Sequence, residues 1–263
     1  YDRNGRLVNR VVRLEHRTDT AEVDRTIYDG IPAARIHIGG RIEFGPDELL
    51  YIGTGDTANP RVAQDLDSEL GKILRVTPEG EVPPDNPFEN SAIYSYGHRV
   101  VQGLAWDPGT GAMFNSEHGP SGFPQEGSVG QRDEVNRVEK GGNYGWPEVV
   151  GAPGLTEYRD PIVMFKNHGV PPAGMSFFDG DLYVTSLGAQ ALLRIEFSDR
   201  ETYTVSSIER LFAFEPRLGL YGRFRDVTVG PDGEYLYVTT SNTDGRARLR
   251  PRDDKILRLT IDR

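Results

Sequence analysis

His37 and Asp56 bracket the stretch HIGGRIEFGPDELLYIGTGD, in which two short apolar runs are separated by the turn GPDE. If the runs pair as a hairpin, the histidine that opens it and the aspartate that closes it return to one end, and a His–Asp dyad can form. In such a dyad the carboxylate holds one ring nitrogen and leaves the other free to take a proton. A histidine among glycines is also a common turn residue, so the pair needs a constellation around it. Further candidates are Arg99 in YGHRVVQGL, His118 in SEHGP, and Arg223 with Arg225 in YGRFRDV. Arginines usually lie on the surface. Three that converged on one mouth would instead form a site for a multiply charged anion, since guanidinium groups bind carboxylates through paired hydrogen bonds. Asp226, next in sequence, could neutralise only one of them.

Bringing residues so far apart together requires a repeating scaffold, and the sequence contains one. Four segments share a grammar of strand, turn and strand: GRIEFGPDELLYIGTGD, QGLAWDPGTGAMFNSEHGP, AGMSFFDGDLYVTSLG and RDVTVGPDGEYLYVTTSNTDG. In each, alternating apolar residues (Ile42 and Phe44; Leu104 and Trp106; Met175 and Phe177; Val227 and Val229) precede a Gly/Pro/Asp turn and a second apolar run. A third strand-like piece follows each hairpin after a loop, as GKILRV, DEVNRV, ALLRIEF and DKILRLTI. The repeating unit is therefore three to four antiparallel strands. Counted from Gly40, Gly103, Gly174 and Asp226, the hairpins begin 63, 71 and 52 residues apart, which reads as propeller blades with loops inserted on one face. A β-sandwich also alternates but has no reason to repeat one hairpin four times. The expected fold is an all-β propeller of four-stranded antiparallel blades, with residues 1–263 forming one domain. Its innermost strands line a channel, and the loops at blade starts crowd one mouth.

Composition narrows the chemistry. With 37% hydrophobic residues in 263, one domain can bury a sizeable core, and the 31 glycines and 18 prolines fall in turn-like dipeptides. The absence of cysteine removes thiol catalysis, cysteine–zinc sites and disulfides. A net charge of −10 disfavours nucleic acid and anionic membranes as partners, and the basic run GRARLRPRDDK is broken by acids. No apolar stretch reaches transmembrane length and no signal peptide opens the chain, so a soluble molecule whose export signal has been removed is expected.

Taken together, HIGGRIEFGPDELLYIGTGD, YGHRVVQGLAWDP, SEHGP…DEVNRVEKGGNYGWP and GRFRDVTVGPDG resemble the soluble PQQ-dependent glucose and aldose sugar dehydrogenases, in order and along nearly the whole chain. The resemblance implies a six-bladed propeller that holds pyrroloquinoline quinone (PQQ) and calcium at the channel mouth. It implies oxidation of an aldose C1 hydroxyl to the lactone, an external electron acceptor, and a periplasmic or secreted location. His37 then stands where the family has its catalytic base, Asp56 where an acid orients that base, and Arg99 where a cation faces the reactive quinone oxygens. Arg223 and Arg225 match a pair that grips the cofactor carboxylates, with His118 also at the cofactor. Gly119 and Pro120 would offer carbonyls to one calcium, and Glu134 with the Tyr144 carbonyl would hold a second. Read without the resemblance, Glu134 is a solvated strand residue and Trp146 of GGNYGWP packs as core.

Three departures stand out. Gly188 occupies a position where many relatives carry a lysine that pairs with a cofactor carboxylate. Val100 replaces an asparagine of the glucose enzyme. The chain also begins, at YDRNGRLVNRVVRL, where relatives already have one to two blades behind them, so a blade is expected to be missing. The alternative function is a non-catalytic sugar- or protein-binding propeller of the same superfamily, like its hedgehog-interacting branch. The loop GFPQEGSVGQR names no sugar.

Overall fold

A computed structural model describes residues 1–122, 124–126, 130–166 and 169–261. Strands β1 (Asp2–Arg3), β2 (Arg6–Arg17) and β3 (Thr20–Pro32) form a three-stranded sheet dominated by one long hairpin. Three four-stranded antiparallel sheets follow. The first contains β4 (Gly39–Phe44), β5 (Leu50–Thr54), β6 (Lys72–Val76) and β7 (Ile93–Tyr96). The second contains β8 (Val101–Trp106), β9 (Met113–Glu117), β10 (Arg132–Val138) and β11 (Val163–Lys166). The third contains β12 (Pro172–Phe178), β13 (Asp181–Ser186), β14 (Ala191–Asp199) and β15 (Thr204–Leu211). A short ribbon, β16 (Ala213–Glu215) with β17 (Leu218–Gly219), leads to a last three-stranded sheet of β18 (Phe224–Val229), β19 (Leu236–Thr240) and β20 (Ile256–Leu259).

The four expected hairpins are β4/β5, β8/β9, β12/β13 and β18/β19, and the four later apolar pieces are their third strands β6, β10, β14 and β20. Period-two alternation explains how the sheets stack. Successive side chains of a strand face opposite sides, so a sheet between two others presents an apolar layer to each. In β5, Leu50 and Ile52 pack toward Ile31 of β3, whereas Tyr51 between them packs toward Val101 and Leu104 of β8. In β13, Leu182 and Val184 face Phe114, and Tyr183 faces Phe224 and Val227. Each of these side chains is more than 90% buried, which is worth about 1.5–3 kcal/mol apiece in apolar transfer.

The first strands of the four hairpins pack side by side in chain order, β4 on β8, β8 on β12 and β12 on β18, an arrangement consistent with a propeller. Strand β4 is the exception to burial among them, with Ile42 45% and Phe44 56% exposed. Among the described residues there are five sheets of three or four strands.

Candidate active site

The histidine is placed by a strained turn. His37 lies between β3 and β4 with φ of +55°, a left-handed conformation unusual for a residue with a side chain, and its carbonyl accepts from the Thr57 amide at 3.0 Å. Gly55 is required opposite it, because a Cβ there would stand 2.1 Å from the His37 oxygen. The returning strand thus delivers Asp56 directly beneath the ring. The Asp56 carboxylate is fully buried, with Oδ1 2.8 Å from His37 Nδ1 and accepting from the Ala58 amide at 2.9 Å. Its Oδ2 accepts from Trp146 Nε1 at 2.9 Å.

Arg99 approaches the other ring nitrogen, its Nη2 lying 3.1 Å from His37 Nε2. A guanidinium can only donate, so Nε2 is the accepting nitrogen and the ring proton resides on Nδ1, toward Asp56. The geometry defines a neutral base with its lone pair pointing away from its carboxylate. Arg99 is itself 3% exposed and heavily restrained. It donates to Glu126 Oε1 from Nε at 2.9 Å and Nη2 at 2.5 Å, to the His118 carbonyl at 3.2 Å and to Ser121 Oγ at 3.0 Å. Its guanidinium carbon lies 5.6 Å from the Trp146 ring centroid.

His37, Arg99, His118 and Arg225 line one cavity of about 680 Å³, together with Arg35 and Arg246. That volume is within the range of small-molecule sites, and the concentration of cations suits a polyanion. His118 donates from Nε2 to the Pro172 carbonyl at 2.8 Å. Burial, reinforced by the nearby Arg99 and Arg225 charges, pushes it down to about 4, so it is neutral at pH 7. Burial and the neighbouring Arg223 charge also lower the Arg225 guanidinium.

Arg223 departs from the expected cluster. It is not among the residues lining the cavity; its guanidinium is held by Asp244 at 3.0 Å, and it also reaches the Leu187 carbonyl. Asp226 likewise forms no ion pair with the three expected arginines but a bidentate one with Arg41 of β4. Gly188 has a steric reason: a Cβ at this position would stand 2.6 Å from both the Gly169 oxygen and Pro171 Cδ, so no lysine fits without movement of the backbone. Val100 is buried and lines the cavity.

The four residues expected to serve two calcium ions, Gly119, Pro120, Glu134 and Tyr144, all border one small space of about 20 Å³, alongside Glu117. That is room for about one water or ion. Glu134 on β10 pairs directly with Glu117 on β9, and burial followed by the Glu117 charge holds its carboxyl well above the usual range. It is therefore no solvated strand residue. Gly119 cannot be replaced, because a Cβ would stand 1.9 Å from the Arg132 oxygen. Hard oxygen donors bordering an ion-sized space fit calcium or a similar cation. Among the described residues no three His, Cys, Asp or Glu side chains cluster as a metal site, so backbone oxygens would have to complete the shell.

Sequence reading overlooked Trp146 as part of the site, along with Glu126, Arg35 and Arg246. Trp146 was legible only as the aromatic of GGNYGWP, and residue type alone does not show which carboxylate its N–H meets. Parts of the loop GFPQEGSVGQR, at 123 and 127–129, lie outside the described residues.

Sequence and fold both match one class of proteins. A sequence profile of the Glucose / Sorbosone dehydrogenase family matches residues 2–250, and the chain belongs to that family. It is 32% identical over 251 residues to the aldose sugar dehydrogenase YliI of Escherichia coli, covering 87% of this chain and 64% of that protein. It is 36% identical over 156 residues to quinoprotein glucose dehydrogenase B of Acinetobacter calcoaceticus, covering 51% and 30%. Among solved structures, the PQQ-bound aldose sugar dehydrogenase of Streptomyces coelicolor superposes with a TM-score of 0.84 at 38% identity, covering 95% of this chain and 71% of that one. A Thermus thermophilus oxidoreductase described as a glucose dehydrogenase superposes with a TM-score of 0.87 at 49% identity, covering 95% and 74%. The chain spans 55% and 64% of the length of two curated relatives.

Proposed function

We propose that this chain is the bulk of a PQQ-dependent aldose dehydrogenase that oxidises the C1 hydroxyl of a sugar to the lactone. The reading takes residues 1–263 as a single propeller domain, contributing most of a six-bladed ring. The observation that carries it is the arrangement of His37 between Asp56 and Arg99 at the wall of a cation-lined cavity.

His37 Nε2 takes the hydroxyl proton, and Asp56, already bonded to Nδ1, stabilises the imidazolium that results. For this to happen the sugar hydroxyl displaces Arg99 from Nε2. Glu126 and Ser121 hold the guanidinium in place, so it remains beside the reacting atoms as a fixed cation for oxygen charge that develops there. PQQ, when bound, supplies the two-electron acceptor for the hydride leaving C1, and calcium polarises its quinone. Arg225, Arg246 and Arg35 are the cations placed to hold its carboxylates, and His118 offers a neutral ring beside them. Gly119, Pro120, Glu134 and Tyr144 are the residues that would hold calcium. An external electron acceptor and a periplasmic or secreted setting belong to this reading. Among the described residues no helix is long and apolar enough to cross a membrane.

The test is direct. Purified protein supplied with PQQ and calcium is expected to reduce an artificial dye when glucose or another aldose is added. PQQ binding without any turnover across aldoses would favour the binding-propeller reading, and no PQQ binding at all would remove the quinoprotein assignment.

A further inference from the structure

Trp146 touches both halves of the proposed catalytic pair. Its Nε1 donates to Asp56 Oδ2 at 2.9 Å, and the Arg99 guanidinium carbon lies 5.6 Å from its ring centroid. Asp56 follows β5 and Arg99 precedes β8, strands of different sheets, and the Asp56 amide donates to the Arg99 carbonyl at 2.9 Å beside the Gly55–Val100 bridge. A single indole therefore spans the junction.

That indole is held on its far side by a built framework. The Trp146 amide donates to the Gly97 carbonyl at 2.9 Å, and the Trp146 carbonyl accepts from Gln64 Nε2 at 2.8 Å. Gln64 and Asn143 exchange reciprocal amide hydrogen bonds, both 2.9 Å. Gly97, at φ of +75°, admits this packing because a Cβ there would stand 2.3 Å from Asn143 Oδ1. Three segments separated in sequence thus fix one ring that is 5% exposed.

We infer that Trp146 is a positioning residue that sets the tautomer of His37 through Asp56 and holds Arg99 at the same time. A carboxylate with one oxygen fixed by a buried donor cannot rotate, so its other oxygen stays aimed at His37 Nδ1 and retains the ring proton there. Nε2 is left as the accepting nitrogen that faces the cavity. Without the indole N–H, Asp56 Oδ2 is a buried acceptor with no donor, and the carboxylate is free to turn. The ring face contributes separately, as a cation–π partner for Arg99.

The inference rests on the catalytic reading above, and one arm of its test does not depend on turnover. Trp146→Phe keeps an aromatic face and deletes the N–H; a benzothienyl-alanine at position 146, which replaces N–H by sulfur in the same ring shape, serves if the Phe variant folds poorly. In cofactor-free protein carrying Arg99→Met, which removes the donor that by itself keeps Nε2 accepting, the nitrogen spectrum of the His37 ring is expected to show the Nδ1–H tautomer with Trp146 present and a mixture with either replacement at position 146. With PQQ and calcium, sugar turnover is expected to fall about 10- to 100-fold, while KM and PQQ affinity stay within about twofold. A merely structural role would move stability and KM and leave the tautomer unchanged. An unchanged tautomer in the variants overturns the inference whether or not the wild type oxidises sugars. Unchanged kcat in an active enzyme overturns it too. A wild type without sugar turnover defeats the functional reading and leaves the tautomer measurement to decide this one.

Discussion

Arg41 and Asp226, 185 residues apart, form a bidentate ion pair between the first and fourth hairpins, with Nη1–Oδ2 at 3.0 Å and Nη2–Oδ1 at 2.9 Å. Arg41 on β4 also donates from Nε to the Gln102 carbonyl of β8 at 3.0 Å, and Gly174 on β12 leaves the space that Asp226 of β18 fills. All four first strands meet at this level. The relationship explains why Asp226 is unavailable to Arg225: its two oxygens are already committed. It also joins the first and fourth hairpins directly, although their strands are not neighbours in the packing order.

Breaking that bridge is expected to loosen the channel. Asp226→Asn keeps the shape but removes the charge that Arg41 faces, and the loss of a charge-assisted pair is worth about 1–3 kcal/mol. For a chain of this size that corresponds to a fall of about 2–10 °C in melting temperature. Gly174→Ala should cost more, because its Cβ would stand 1.7 Å from Asp226 Oδ1. Calorimetry on the two variants decides; an Ala variant as stable as the wild type would show that the pair rearranges freely.

The base makes the sharpest kinetic prediction. His37→Gln removes the proton acceptor while leaving the cations of the cavity in place. Turnover of aldoses is expected to drop by about two to four orders of magnitude, the usual worth of a positioned general base, with PQQ binding retained. A variant that turns over near the wild-type rate would take His37 out of the mechanism.

How much of this was readable beforehand differs by element. The first three strands of the hairpin units were legible because their alternation and their Gly/Pro/Asp turns are local signals. The outer strands β7 and β11 were not, since they follow long loops, and β15 was not, since much of it is exposed, which weakens the apolar pattern. His37 and Asp56 could be paired from sequence because hairpin geometry returns its two ends to one place, whereas Arg99 was legible only by its position before the next hairpin. The assignment of Arg223 to the cavity failed for a different reason. Arg223 lies just before β18, and a register shift lies between Phe224 and Asp226, so strand alternation does not carry Arg223 and Arg225 to one face. Asp244 stands 3.0 Å from Arg223 and 3.8 Å from Arg225, so the acid holds the first more closely, and nothing in the motif marks that difference.

The anion clamp can be divided experimentally along that line. Arg225→Ala removes a cavity-lining cation and is expected to weaken PQQ binding at least about tenfold, in keeping with charge-assisted hydrogen bonds worth about 1.5–3 kcal/mol. Arg223→Ala removes a partner of Asp244 and should weaken it less. Titration of PQQ by fluorescence quenching ranks the two, and an Arg223 effect exceeding that of Arg225 would restore the pair expected from sequence.

Calcium should stabilise the folded chain through the space between Glu134 and Glu117. Two carboxyl groups opposed across a buried strand pair repel when both are ionised, and a bound cation relieves that repulsion only in the folded state. Chelation is expected to lower the melting temperature, and Glu134→Gln to abolish the response while raising stability in the chelated state. A melting temperature indifferent to calcium in the wild type would argue against any site there.

The pH dependence of stability carries a signature of His118. Its folded value of about 4 lies below the ordinary 6.5, so between these limits the unfolded chain binds a proton that the folded chain does not. By linkage, unfolding free energy then rises with pH from about 4 to 6.5, and the contribution is lost as the pH falls through that window. At 1.36 kcal/mol per unit the full effect is at most about 3 kcal/mol. Asp133 works the other way: burial raises it to about 6, so its folded form holds a proton longer and stability falls as the pH rises from about 4 to 6. The two partly cancel in the wild type, and the difference between proteins is therefore the informative quantity. His118→Gln keeps a side-chain amide that can donate to the Pro172 carbonyl and removes the titration. Denaturant unfolding from pH 4 to 7 should show the variant gaining stability relative to wild type as the pH is lowered; parallel curves for the two proteins would mean that His118 titrates normally and is not held neutral in the cavity.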